Sequence, residues 1–178
     1  MLEAIPYWLH LMAAAVWIGS QVMMFAVVMP AVRLIDNQAV RGRVMYTVTR
    51  RFGYLGWGAL ILLVLTGMNN VVDKNDLHQP LGVFDFGVRY AWILSTKIGL
   101  AVVVILLTAW HTFIHGPRML RAQEAAASVG RPSPEAEARL RSMRRLSIIV
   151  SAVNLLLVVG IVYLVTLLQN DEFAFTQV

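Results

Sequence analysis

The chain has 178 residues, of which 58% are hydrophobic and 14% charged, with a mean hydropathy of +0.67 and a formal net charge of +5. That much apolar surface has no core to enter in a soluble domain of this length, so a lipid bilayer is the expected solvent. The absence of cysteine excludes disulfides, thiolate ligands, iron–sulfur clusters and covalently attached haem, leaving His, Met, carboxylate and carbonyl groups as metal donors.

In chain order, residues 5–29 form the first apolar stretch. Glu3 precedes it, there is no basic leader, and the run is too long for the apolar region of a signal peptide, so it is expected to stay as a span. Pro30 is expected to close it, because proline cannot continue the helix ladder. Residues 52–72 form the second span, followed by a short irregular loop over 73–85 that contains Pro80 and Gly82. The third covers 90–115, with Gly116-Pro117 as its expected end. Gly130-Arg131-Pro132-Ser133-Pro134-Glu135 reads as a turn in which Ser133, or the region near it, caps a short amphipathic helix running into the fourth span, 146–168. A bilayer core of about 30 Å takes roughly 20 helical residues, and all four stretches suffice. The expected fold is all-α: an integral membrane four-helix bundle forming one domain over 1–178. The two halves share a plan of span, Arg-rich loop and span, without a residue-level repeat.

Twelve of the fifteen Lys and Arg residues fall within 33–51 and 118–145. The positive-inside rule makes these segments cytoplasmic and puts both termini on the outer, periplasmic side of a bacterial cytoplasmic (inner) membrane. The pI of about 10.1 is thereby accounted for by topology and anionic headgroups, and no nucleic-acid partner is expected. Walker, dinucleotide-binding and Gly-x-Ser-x-Gly patterns are absent, which argues against ATP-driven pumping and serine hydrolysis within this chain.

Ionisable residues inside spans are expensive and mark candidate sites. His10, Trp17, Gln21 and Met24 share one face of the first span, beside Ala13 and Ala14, and small residues suit a helix-facing side. On the third span Lys97, Ala101, Val104, Thr108, His111 and His115 recur at steps of three and four and form one stripe. His10 and Lys97 share an outer depth, with Met68, Asn69, Asn70 and Tyr163 near that level. His111 and His115 lie about 20 Å deeper at about 1.5 Å per residue, so His10 and His111 cannot hold one ion. Arg50, Arg51, Tyr54, Ser147, Ser151 and Asn154 share the inner level.

His10 is a candidate metal or haem ligand, since a neutral imidazole in apolar surroundings is the ligating form; the alternative is a buried ring hydrogen-bonded across a helix interface. His111 and His115, spaced i, i+4, can address one metal ion, although His115 also suits an interfacial position. Lys97 is either a site residue or a snorkelling lysine. Met12, Met23, Met24, Met29 and Met68 offer thioethers to Cu(I), or fill gaps. Arg51, or Arg50, can clamp a propionate or another anion. Trp8 and Trp92 suit the outer aromatic belt.

The run from His10 to Gly19, with its Trp17-Ile18-Gly19, resembles the signature of the copper resistance protein D family and is similar to that of HemJ-type protoporphyrinogen oxidases. Thr66-Gly67, then Trp92 with Lys97, continue both resemblances in order, and Arg144-Arg145 with Asn154 leans to the copper side. The HemJ resemblance implies an oxidoreductase with b-type haem, His10 as axial ligand, Lys97 essential, and electrons passing to a quinone or another acceptor. The copper resistance resemblance implies moving or holding copper. Taking the residues together with these resemblances, haem b at His10 and Lys97 with a second site at His111 is the first expectation, copper handling the second, and a cofactor-free assembly subunit the third. A homodimer is a further expectation, because four helices offer limited room to enclose a porphyrin.

Overall fold

The computed structural model describes residues 4–78, 85–128, 133–170 and 174. Pro80, Gly82 and Gly130 to Pro132 lie outside the described residues, as do the side chains of Lys74 and His78. The all-α expectation holds: four helices are long and apolar enough to cross a membrane, and no strand occurs among the described residues. They form two compact units, Met1–Asp85 and Phe86–Val178.

The first unit is a helical hairpin. Helix α1 (Ala4–Met23) passes through a π-helical turn (Met24–Val28) into α2 (Met29–Arg33), and the chain returns as α3 (Gln38–His78). Asn37 opens α3 by accepting the Val40 amide on its Oδ1 at 3.1 Å. Ala13 and Trp17 of α1 are buried, as are Ala59, Leu60 and Thr66 of α3. A methyl group on Gly56 would stand 3.9 Å from the Trp17 ring, in ordinary contact, so Gly56 of α3 lies against the indole of α1.

The second unit has the same plan. Helix α4 (Arg89–Trp110) passes through a π-helical turn (His111–His115) into α5 (Gly116–Ser128), and α6 (Pro134–Leu168) returns along it. The Ser133 cap expected from the turn is present: its Oγ accepts the Ala136 amide at 3.2 Å, with Pro134 in the first turn. At the start of α4 the Trp92 indole donates to the Phe86 carbonyl at 3.0 Å and meets the Phe86 ring edge-on at 5.1 Å.

Neither proline ends its helix, and this corrects two expectations. Pro30 lies inside α2, and Gly116-Pro117 opens α5. In an α-helix each proline ring would press on the carbonyl four residues back, of Ala26 or Phe113. A π turn precedes each one instead. The Met29 amide donates to the Met24 carbonyl, and the Gly116 amide to the His111 carbonyl, a five-residue step that shifts the carbonyl row and lets the helix continue. The candidate spans are accordingly longer than expected: Ile5–Arg33, Val40–Val71, Arg89–Ala126 and Pro134–Leu168. The loop expected from residue 73 begins later, since α3 runs to His78. Arg50 donates from Nε to the Tyr54 hydroxyl at 3.0 Å and from Nη1 to that of Tyr46 at 3.4 Å, with its guanidinium 5.7 Å from the centre of the Tyr54 ring.

Candidate metal sites in the two hairpins

His10 stands on α1 with Thr66 and Gly67 of α3 beside it. Its Nδ1 lies 2.9 Å from the Thr66 hydroxyl oxygen. That hydroxyl has one proton, and it donates it back to the Leu62 carbonyl at 2.6 Å. The oxygen therefore accepts from His10, which places a proton on Nδ1 and, in the neutral ring, the lone pair on Nε2. A histidine whose far nitrogen is held in this way is oriented as metal-binding histidines are. Gly67 completes the seat: a Cβ there would stand 3.3 Å from His10 Cε1, closer than ordinary contact. An interhelical hydrogen bond in a membrane contributes only about 0.6–1.7 kcal/mol. Its larger effect is on the direction of the ring.

Inside the second hairpin the π turn presents two imidazoles to α6. His111 Nε2 lies 2.7 Å from Ser147 Oγ, and His115 Nε2 lies 3.1 Å from the Met143 carbonyl. A carbonyl only accepts, so His115 carries a proton on Nε2, which in the neutral ring leaves the lone pair on Nδ1. The two ring centres are 5.7 Å apart with planes inclined at 33°. Trp110 stacks on His115 at 5.2 Å, and His115 is only 5% exposed. One turn earlier on the same stripe, the Thr108 hydroxyl is buried with no hydrogen bond among the described residues.

The grouping of His111, His115 and Ser147 anticipated from helix depth is therefore present. Lys97 is half-buried on α4, in the other unit from His10. Arg51 is exposed on α3, fifteen residues and about 22 Å along the axis from Thr66 at about 1.5 Å per residue, so it and His10 do not address one small group. Met68, placed near His10 by depth, is 66% exposed. Sequence reasoning noted Thr66-Gly67 as part of a resemblance but did not see it as the seat of His10. The available signal was depth, since both lie at the end of their spans remote from the arginines. The Met143 carbonyl and the Trp110 stack leave no such trace, because a backbone acceptor has no residue type. Among the described residues no group of three or more His, Cys, Asp or Glu residues is placed to hold a metal.

The family model for copper resistance protein D matches residues 46–168, more than half of the chain. The chain belongs to the copper resistance protein D family. The part matching copper resistance protein D includes Thr66, Gly67 and all of α4, α5 and α6, whereas His10 precedes it. No curated protein and no solved structure matches the chain.

Proposed function

We propose that this member of the copper resistance protein D family handles copper in the membrane, with His10 as a contact for the metal. The observation that carries the reading is the Thr66 hydroxyl on His10 Nδ1, which assigns the lone pair to Nε2; the family match supplies the choice of metal. A copper ion entering an apolar span loses its hydration, and a neutral imidazole replaces part of it without adding a second buried charge. Clustering of arginines at one end of each hairpin supports an orientation with those ends in the cytoplasm of a bacterial cell and His10 toward the outside.

The b-type haem that the HemJ resemblance implies rests on the same imidazole. Its proposed propionate clamp, Arg51, lies about 22 Å from the seat of His10 at about 1.5 Å per residue, and the family match favours copper.

The test is anaerobic titration of the detergent-purified protein with Cu(I) against a chromogenic Cu(I) chelator, with an optical spectrum of the same sample. The expected result is bound copper, no Soret band, and loss of at least one equivalent in His10→Ala. A Soret band with stoichiometric iron, or a His10→Ala protein that holds all its copper, would overturn the reading.

A further inference from the structure

We infer that the π turn His111–His115 is a second Cu(I) site, at the arginine-rich end of the second hairpin and separate from His10. The inference rests on the copper reading for its metal, but not on His10 as a ligand.

Geometry carries it. An α-helix already puts residues i and i+4 on neighbouring positions, and the wider π turn keeps both imidazoles on the face toward α6, with ring centres 5.7 Å apart. An ion held between two ring nitrogens at about 2 Å each requires ring centres within roughly 6 Å of one another, and the observed 5.7 Å meets that condition. Both Nε2 atoms are anchored to α6, His115 to the Met143 carbonyl and His111 to the Ser147 hydroxyl. With His115 donating from Nε2, its Nδ1 carries the lone pair. The Ser147 oxygen can accept in the same way from His111. No hydrogen bond among the described residues reaches Nδ1 of either ring. Both rings thus have the arrangement of metal-binding histidines, one nitrogen held by an outer partner and the other available.

The donor set selects the ion. Two neutral nitrogens, with no carboxylate grouped beside them among the described residues, give a divalent cation neither the charge nor the ligand number it needs, whereas monovalent Cu(I) is satisfied by two imidazoles. The Trp110 ring stacked on His115 and the 5% exposure of that histidine keep the ring in place and shielded from bulk water. All of these residues lie within the part of the chain that matches the family.

The experiment is the same anaerobic Cu(I) titration on the full-length protein, comparing wild type, His10→Ala, and the double variant His111→Gln/His115→Gln. Glutamine still donates to a carbonyl or hydroxyl, so the double variant retains hydrogen-bonding capacity toward α6 while removing the imidazoles. Two equivalents in wild type, one lost in each variant, is the expected result. One equivalent lost only with the glutamine pair would sustain this site and sink the His10 reading. A wild type whose copper is unaffected by the glutamine pair, or one that binds no Cu(I), overturns the site. If the double variant loses its helical circular dichroism, His111→Gln and His115→Gln are tested singly, each expected to weaken that equivalent at least tenfold; retention of full affinity in both overturns it.

Discussion

The two hairpins use one backbone device for two placements of polar chemistry. In α1 the π turn begins at Met24 and the proline stands at position 30; in α4 the π turn begins at His111 and the proline at 117. The register extends upstream: His10 precedes Pro30 by twenty residues, and Lys97 precedes Pro117 by twenty. Aligned in this way, an imidazole in the first hairpin corresponds to an ammonium in the second, while His111 and His115 correspond to Met24 and Val28. The first hairpin therefore places its imidazole at the end remote from the arginines, on a side-chain partner. The second places two at the arginine-rich end, within the turn itself. The π turn and proline set how the helix passes, independently of which residues the helix carries.

Filling the seat of His10 should break the first hairpin's part of this comparison most severely. Gly67→Val puts a branched side chain where even a Cβ stands 3.3 Å from the ring. We expect loss of the His10-dependent copper equivalent and destabilisation of about 1–3 kcal/mol from overpacking, read by Cu(I) titration and denaturant unfolding. Unchanged copper binding would mean the ring does not use this seat.

Thr66→Val is nearly isosteric and removes only the acceptor for His10 Nδ1. Loss of such an outer partner typically weakens a metal site by about 10–100-fold. The second hairpin's equivalent should be unaffected, and equal weakening of both would show that the two sites are not separable.

Gly116→Ala against Gly19→Ala sharpens the contrast between π turn and plain helix. A Cβ at Gly116 meets the His111 carbonyl oxygen at 3.3 Å, whereas at Gly19 nothing lies within 4 Å. Gly19→Ala should stabilise by about 0.5–1 kcal/mol through helix propensity. Gly116→Ala should forfeit most of that gain, and thermal unfolding in detergent that shows equal gains would argue that the turn yields freely.

The smallest effect is expected from Pro30→Ala. The π turn already satisfies the local backbone, so restoring an amide should change stability by no more than about 0.5 kcal/mol. A large loss would mean that the proline itself holds the turn open.

Much of this was legible in residues alone, for a physical reason in each case. Four spans follow from composition, since a bilayer satisfies no backbone group and imposes helices on any long apolar run. The α4 stripe follows from periodicity, and helix direction grouped His111, His115 and Ser147 at one level before any contact was known. The Ser133 cap follows from local chemistry that needs no distant partner. The prolines misled because proline stops an α-helix, but a π turn upstream changes the hydrogen-bond step it has to satisfy. The register shared by α1 and α4 went unseen because few identical residues announce it, and it emerges only from the correspondence of the two π turns.

By itself the sequence determined that the chain is a four-span helical membrane protein, where along their spans His10, His111 and His115 stand, and that cysteine chemistry is absent, because these depend on composition and spacing. Only the tertiary structure decided that Thr66 and Gly67 receive His10, that Met143 and Ser147 anchor the π-turn pair, and hence which nitrogen of His10 and of His115 carries the proton. A tautomer is set by the partner across the interface, and that partner is known only once the helices are paired.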